Sequence, residues 1–572
     1  MNITETNGCF KISASVYDLH VSADMIDVFL SGESVARLVP GCILDVTNEA
    51  KDGCYADVDE ADVCFCQNSE CPAVFEWKTT SNLWEEKICR LTCYEDRAEF
   101  AVTVKGKGDV DSVKYFTCNK QTDDKVKQVK GSQDFYEGFY PNIYEMGEEA
   151  TYRADREKGV NSTLTVPTMF VHAFKTAGIN EILSFSVVAE MGEHNFTKLV
   201  YDPDMYFTTD QDGHTHVDGC WTAPKVVITT ADSYYNACEK YRDYYFENGI
   251  CEKNSVTKRP RFWYGPIACG WFEQNASGEP GVAITDMAKE SLYRNMLRKF
   301  DERDVHPNIL IIDDRWMKDY GTATVNTDKW PDLRGFIDEN RRERGIHTFL
   351  WFRLWPEEDE CVPHEYCVYD EIEKVYEADP SHPGFREMLR ETVHRLLSSD
   401  EGCYNADGLK VDFGFRWPRG RKAISHSSKY GAELIYEYIK LIHDVAKEAK
   451  PHAVINASPA HPMFDSIVDH ARLHDYDAKN RRTLEEFAHR AKIWGTALPS
   501  SLIDMDGGAV STNRDVMRFL LGQADYGIPD LYYISDFKDF KLTPEEWAQV
   551  SAAWKAYDEK MDALHGVDDI VD

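Results

Sequence analysis

A lysine and an aspartate two residues apart, Lys410 and Asp412, stand in the run Asp407-Gly408-Leu409-Lys410-Val411-Asp412-Phe413-Gly414. Leu409 and Val411 alternate with them in the period-two pattern of a short strand, so cation and carboxylate share one strand face. Burying opposite charges there is costly unless they pair structurally or do chemistry. A carboxylate kept ionised by a nearby cation is suited to nucleophilic attack. Further reactive residues recur where short apolar runs end: Asp313, Asp314 and Trp316; Trp351, Arg353 and Trp355; Arg416 and Trp417; Asn456 and Ser458; Arg472, His474, Asp475 and Asp477; Asp504 and Asp506; Ser535 and Asp536. Carboxylates set among flat rings suit a sugar. Rings cover the apolar face of a pyranose, carboxylates accept its hydroxyl protons, and two acids carry bond cleavage. Any single tryptophan in the set is equally explained by packing.

The elements that must position these residues read clearly. Residues 1–225 show short alternating runs separated by Gly, Asn and Asp clusters, which predicts an antiparallel β-sandwich. Residues 226–259 change to helical spacing and end in Lys258-Arg259, just before Pro260, as a helical linker. From 260 to 572 strands and helices alternate. Strands are expected at Asn308–Ile312, Thr348–Phe352, Lys410–Asp412, Ala453–Asn456, Ala471–His474, Leu498–Ile503 and Leu531–Ile534, after a first one near Arg261–Trp271. Eight such units predict an α/β fold, a (β/α)8 TIM barrel preceded by the sandwich. Active sites of such barrels gather at the C-terminal strand ends, where the residues above fall.

At 572 residues the chain is too long for one core. Its formal charge of −35 argues against nucleic acid and anionic membranes. There is no G-x-G-x-x-G after the first strand and no phosphate-binding G-x4-G-K-[ST], so nucleotide cofactors lose their best signal. No metal or organic cofactor is expected. Of the sixteen cysteines, Cys64, Cys66 and Cys71 lack the paired spacing of a zinc site, and reduced structural thiols are the simpler reading. No apolar leader or membrane-length run is visible, so a cytoplasmic location is expected.

Three segments in order carry a resemblance: Ile311-Ile-Asp-Asp-Arg-Trp316; Lys329-Trp-Pro-Asp-Leu-Arg-Gly-Phe-Ile-Asp338, continuing to Phe352; and Asp407–Gly414. Together they resemble the retaining α-glycosidases of glycoside hydrolase families 31 and 36, the α-glucosidase/α-xylosidase and α-galactosidase groups. The Lys410-Val-Asp412-Phe-Gly414 feature is similar to family 31, and Asp313-Asp314-x-Trp316 is closer to the α-galactosidases. The resemblance implies a retaining, exo-acting enzyme that hydrolyses a terminal α-linked sugar through a covalent glycosyl-aspartate. It implies Asp412 as nucleophile, Asp475 as acid/base with Asp477 as the other candidate, and Lys410 as the cation that keeps Asp412 ionised. It further implies Asp313, Asp314, Trp316, Trp351, Arg353, Lys410, Trp417, Asn456, Arg472 and Asp477 as substrate-binding residues. The Trp-[Ser/Thr]-Gly-Asp-Asn segment usual around the family 31 acid is replaced by Leu473-His-Asp-Tyr476.

The expected partner is a glycoside or oligosaccharide, with no nucleic acid and no membrane; self-association is left open. A transglycosidase on the same site, a non-catalytic carbohydrate-binding barrel, and a barrel using Asp313, Asp314, Asp412 and Asp475 as metal ligands are the alternatives. Arg416 and its neighbours Arg419, Arg421 and Lys422 either bind an anionic substituent through paired N–H groups or pair with the chain's own acids.

Overall fold

The computed structural model describes residues 1–48, 53–61, 63–70, 72–141, 151–162, 167–256, 258–276, 281–356, 361–475, 483–507, 516–536 and 541–566. The chain forms two compact units. The first comprises Met1–Asn142, Glu149–Cys251 and Pro418–Ile435; the second is built chiefly from Glu252–Trp417 and Tyr436–Asp572.

The first unit is antiparallel β, with a six-stranded and a fourteen-stranded sheet. Its longest pair joins Ala98–Tyr115 to Tyr206–Thr222, with a register shift between Val110 and Ser112. Alternate residues of the first strand (Phe100, Val102, Val104) are buried, as period two requires. They enter an aromatic core with Phe116, Phe174, Phe185, Tyr201 and Phe207. Residues 226–247, expected to lie in a linker, belong to this unit: Lys225–Ala231 is a strand paired with Ala98–Phe100 and with Ile182–Val188. The helix Tyr234–Glu247 follows, its first turn capped by the Ser233 hydroxyl accepting from the Asn236 N–H. The excursion Pro418–Ile435 is bound by side chains of the same unit. Arg421 pairs with Asp111 at 2.8 Å, and the Tyr430 hydroxyl donates to Asp212 at 2.7 Å.

The second unit is the barrel. Its strands are β1 (Ile267–Cys269), β2 (Ile309–Ile312), β3 (His347–Arg353), β4 (Gly408–Asp412), β5 (Val454–Ala457), β6 (His470–Arg472), β7 (Leu502–Asp504) and β8 (Asp530–Leu531). All are parallel, in the order β7-β6-β5-β4-β3-β2-β1-β8, and an Asp504–Ile528 bridge brings the two ends together. Every residue of β2 is buried, the continuous apolar run of a strand covered on both faces. Helix Leu333–Arg344 buries Leu333, Phe336, Ile337 and Asn340, one face at 3.6-residue spacing. Asp332 caps its start, and Gly345, at φ 66°, ends it in the left-handed conformation. From this helix Arg341 reaches both carboxylate oxygens of Asp407 at 2.8 Å and so fixes the entry to β4. Among the described residues no helix is long and apolar enough to cross a membrane.

Candidate active site

The register aligns Trp351 of β3, Lys410 of β4 and Asn456 of β5 in one layer, with Arg353 and Asp412 one layer higher. Asp412 thus ends its strand at the C-terminal mouth of the barrel. Three N–H donors hold its carboxylate. Oδ1 accepts from Arg472 Nη2 at 2.6 Å and from the Phe413 N–H at 2.8 Å; Oδ2 accepts from Trp351 Nε1 at 3.1 Å. Burial alone would favour the neutral acid, but the charges of Arg472 and Lys410 outweigh it and hold Asp412 well below the usual carboxylate range.

Arg472, at the end of β6, is 1 % exposed. Its other terminal nitrogen donates to Asp506 Oδ2 at 3.0 Å and to Asp475 Oδ1 at 3.2 Å. One planar guanidinium therefore ties Asp412 and Asp475 to the β7 end. The Asp475 side chain is 64 % exposed, open to whatever enters the mouth. Asp477 lies outside the described residues.

Lys410 points a layer deeper than Asp412. Its Nζ donates to Asp313 Oδ2 at 2.8 Å and to the Tyr532 hydroxyl at 3.2 Å, beside Cys269 Sγ at 3.4 Å. Burial opposes its charge, yet Asp313 keeps its pKa well above the ordinary lysine value. Lys410 therefore acts on Asp412 through its charge, while Arg472 makes the contact. Asp313 also accepts from Cys269 Sγ and from the Asp314 N–H, so the group is a fully engaged floor.

Asp314 differs from its neighbour. It accepts from the Tyr320 hydroxyl at 3.0 Å, and burial, reinforced by the charge of Asp313, pushes its carboxyl up to about 6. The guanidinium groups of Arg315 and Arg353 lie over the Tyr320 ring at 3.8 and 4.6 Å. Three residues beside the carboxylates adopt left-handed backbone without being glycine: Arg315 (φ 69°), Phe413 (φ 62°) and His474 (φ 67°). Such conformations persist only where surrounding structure enforces them, and they cluster at functional sites. At Phe413 the turn aims the backbone N–H at Asp412 Oδ1.

Two of the residues expected to contact substrate are fully buried. Trp316 is completely buried, donating its indole N–H to the Trp351 carbonyl at 2.9 Å and packing edge-on to Tyr404; it is a packing residue. Asn456 is equally buried and donates to Asp504 Oδ2 at 2.6 Å, beneath the mouth. Trp417 is buried at the end of the short helical turn after β4. Arg416 lies over the Phe413 ring at 5.3 Å, and Arg421 is taken by Asp111.

Tyr532, Cys269 and Tyr320 also belong to the site, with no sequence pattern pointing to them, whereas Asp506 is one of the carboxylates expected at a strand end. For Asp506 a signal exists: Leu502-Ile-Asp-Met-Asp506 sets two carboxylates of one parity at a strand end. The Tyr532 hydroxyl bonds to Asp506.

Residues 278–422 match the family model described as "Glycosyl hydrolases family 31 TIM-barrel domain". That stretch is similar to the family 31 barrel domain. The matched stretch contains Asp313, Asp314, Lys410 and Asp412 and stops before Arg472 and Asp475. An α-xylosidase of family 31 from a soil metagenome, solved with xylose, superposes with a TM-score of 0.53 at 11 % identity, over 99 % of this chain and 86 % of that one. An α-galactosidase from Thermus thermophilus gives 0.50 at 13 %, over 80 % and 92 %. A glucosidase II alpha subunit gives 0.52 at 9 %, over 98 % and 70 %. At these identities the likeness shows a shared fold. No curated protein sequence matches the chain.

Proposed function

We propose that the protein is a retaining, exo-acting α-glycosidase that hydrolyses a terminal α-linked sugar of the α-galactoside or α-glucoside type. The observation that carries this reading is Asp412: a carboxylate at a strand end, kept ionised by Arg472 and Lys410, inside a segment that matches the family 31 barrel. Oδ2 has one hydrogen bond and Oδ1 two, so Oδ2 is the attacking atom. It bonds to the anomeric carbon as the glycosidic C–O bond breaks, and Asp475 gives its proton to the departing oxygen. Asp475 then takes a proton from water as the water oxygen displaces Asp412, restoring the anomeric configuration. The exposed Asp475 suits this role, because the arriving sugar covers it and only then excludes water. Arg472 orients both groups. Asp314 and Arg353 face the hydroxyls of the bound ring, and Trp351 braces the nucleophile.

The test is the initial rate on α-linked aryl galactoside, glucoside, xyloside and N-acetylgalactosaminide. Wild type should cleave at least one, with kcat falling about 10⁴-fold or more in Asp412→Asn. An unchanged rate in that variant, or binding of sugars with no cleavage by wild type, overturns the reading.

A further inference from the structure

Beneath the mouth, Asp504, Asp506 and Asp530 each bring a carboxylate oxygen within 4.8 Å of the others, and all three are buried. Acidic clusters are common, and two independent observations set this one apart. Both oxygens of Asp530, which is 2 % exposed, lack a hydrogen-bond partner among the described residues. So does Oδ1 of Asn456, a fully buried amide whose Nδ2 donates to Asp504 of the cluster.

Charge points the same way. Among the described residues Lys410 and Arg472 are paired with Asp313, Asp412 and Asp506, while Asp504 and Asp530 have no cation within ion-pair distance. An uncompensated buried carboxylate costs several kcal/mol, so an interior this acidic takes up a cation or protons.

We infer that Asp504, Asp506, Asp530 and the Asn456 carbonyl form a binding site for a hard divalent cation of calcium size. The donors are all oxygens, the preference of Ca²⁺ and Mg²⁺. Oxygens that lie within 4.8 Å of one another can share one Ca²⁺, whose opposite ligands are roughly 5 Å apart, and a buried all-protein cage disfavours Mg²⁺, which dehydrates reluctantly. Asp506 is already bonded to Arg472 and Tyr532, but a carboxylate has about four lone-pair sites and can serve both. The ion is a positioning element: it neutralises the floor, so that Lys410 and Arg472 direct their charge at Asp313 and Asp412. This departs from the metal-free expectation of the sequence.

The experiment is calorimetric titration of chelator-stripped, desalted protein with CaCl₂ and with MgCl₂, paralleled by thermal unfolding and by terbium luminescence excited through tyrosine, since the Tyr532 hydroxyl bonds to Asp506. Wild type should bind one Ca²⁺ per chain saturably and more tightly than Mg²⁺, with Tm rising with ion concentration. Asp530→Asn should weaken binding at least 100-fold, and Asn456→Asp, which adds a ligand charge, should tighten it. If Asp530→Asn does not fold, wild type and Asn456→Asp decide the matter. Absence of saturable binding by stripped wild type overturns the inference; so does Ca²⁺ affinity undiminished in folded Asp530→Asn, which would assign the binding to the acidic surface. An Asp530→Asn variant as stable as ion-free wild type, with no Ca²⁺ response in either, identifies a neutral acid there instead. The readouts are binding and unfolding, so failure here leaves the proposed reaction standing.

Discussion

Asp313 and Asp314 are adjacent carboxylates in opposite situations. Asp313 is neutralised by Lys410, whereas Asp314 accepts from the Tyr320 hydroxyl and is pushed up to about 6 by burial and the charge of Asp313. A carboxyl whose folded pKa lies above its ordinary value binds more protons folded than unfolded. Its burden on stability is therefore absent at pH 4, grows as pH rises, and is complete above pH 6, at about 3 kcal/mol. Asp314→Asn should be more stable than wild type by up to that amount at pH 8, the gain vanishing near pH 4, while sugar affinity falls. Denaturant titrations at pH 4, 6 and 8 check this; a gain independent of pH would contradict it. At this scale the sequence is partly legible. Lys410 and Asp412 are visible as a pair, since strand parity puts them on one face. Which cation touches Asp412 is not visible, because Arg472 arrives from a strand sixty residues on.

Elements carry these residues with different fidelity. Helices Leu333–Arg344 and Pro383–Leu397 have the boundaries that their spacing and caps predict. The short strands drift. The stretch expected to open a strand at Leu498 still closes a helix, its N–H donating to the Trp494 carbonyl, so β7 starts at Leu502. The strand expected at Leu531–Ile534 is Asp530–Leu531, because Ile534 and Ser535 turn their N–H groups onto the buried Glu273 carboxylate. Such partners are tertiary, and no local pattern announces them. Gly408 at the start of β4 is a constraint of the same kind: a Cβ there would meet the Phe349 ring and the Val454 carbonyl at 2.8 Å. Gly408→Ala should cost about 1–3 kcal/mol and lower kcat by shifting Asp412, checked by denaturant unfolding alongside the rate. Unchanged stability would mean that the barrel yields at this point.

The whole molecule carries 99 acidic and 64 basic side chains, a formal charge of −35. Self-repulsion of that size opposes compaction and is screened by salt, with a Debye length of about 10 Å at 0.1 M. Tm should rise as NaCl goes from low to physiological concentration, and a flat or falling Tm would show that surface pairs such as Arg294–Glu339 dominate instead. The barrel and the β-rich first unit were legible from alternating patterns, whereas the return of Pro418–Ile435 to the first unit was not, since it rests on distant partners such as Asp111 and Asp212. The account as a whole stands on Asp412 as the nucleophile. The most direct measurement is peptide-mapped mass spectrometry of enzyme incubated with fluorinated α-glycosyl fluorides of the sugar it cleaves, which slow release of the covalent intermediate. The account predicts one glycosyl adduct, on the peptide containing Asp412 and lost in Asp412→Asn. An adduct on another carboxylate, or turnover of the natural glycoside with inverted product and no adduct, would contradict it.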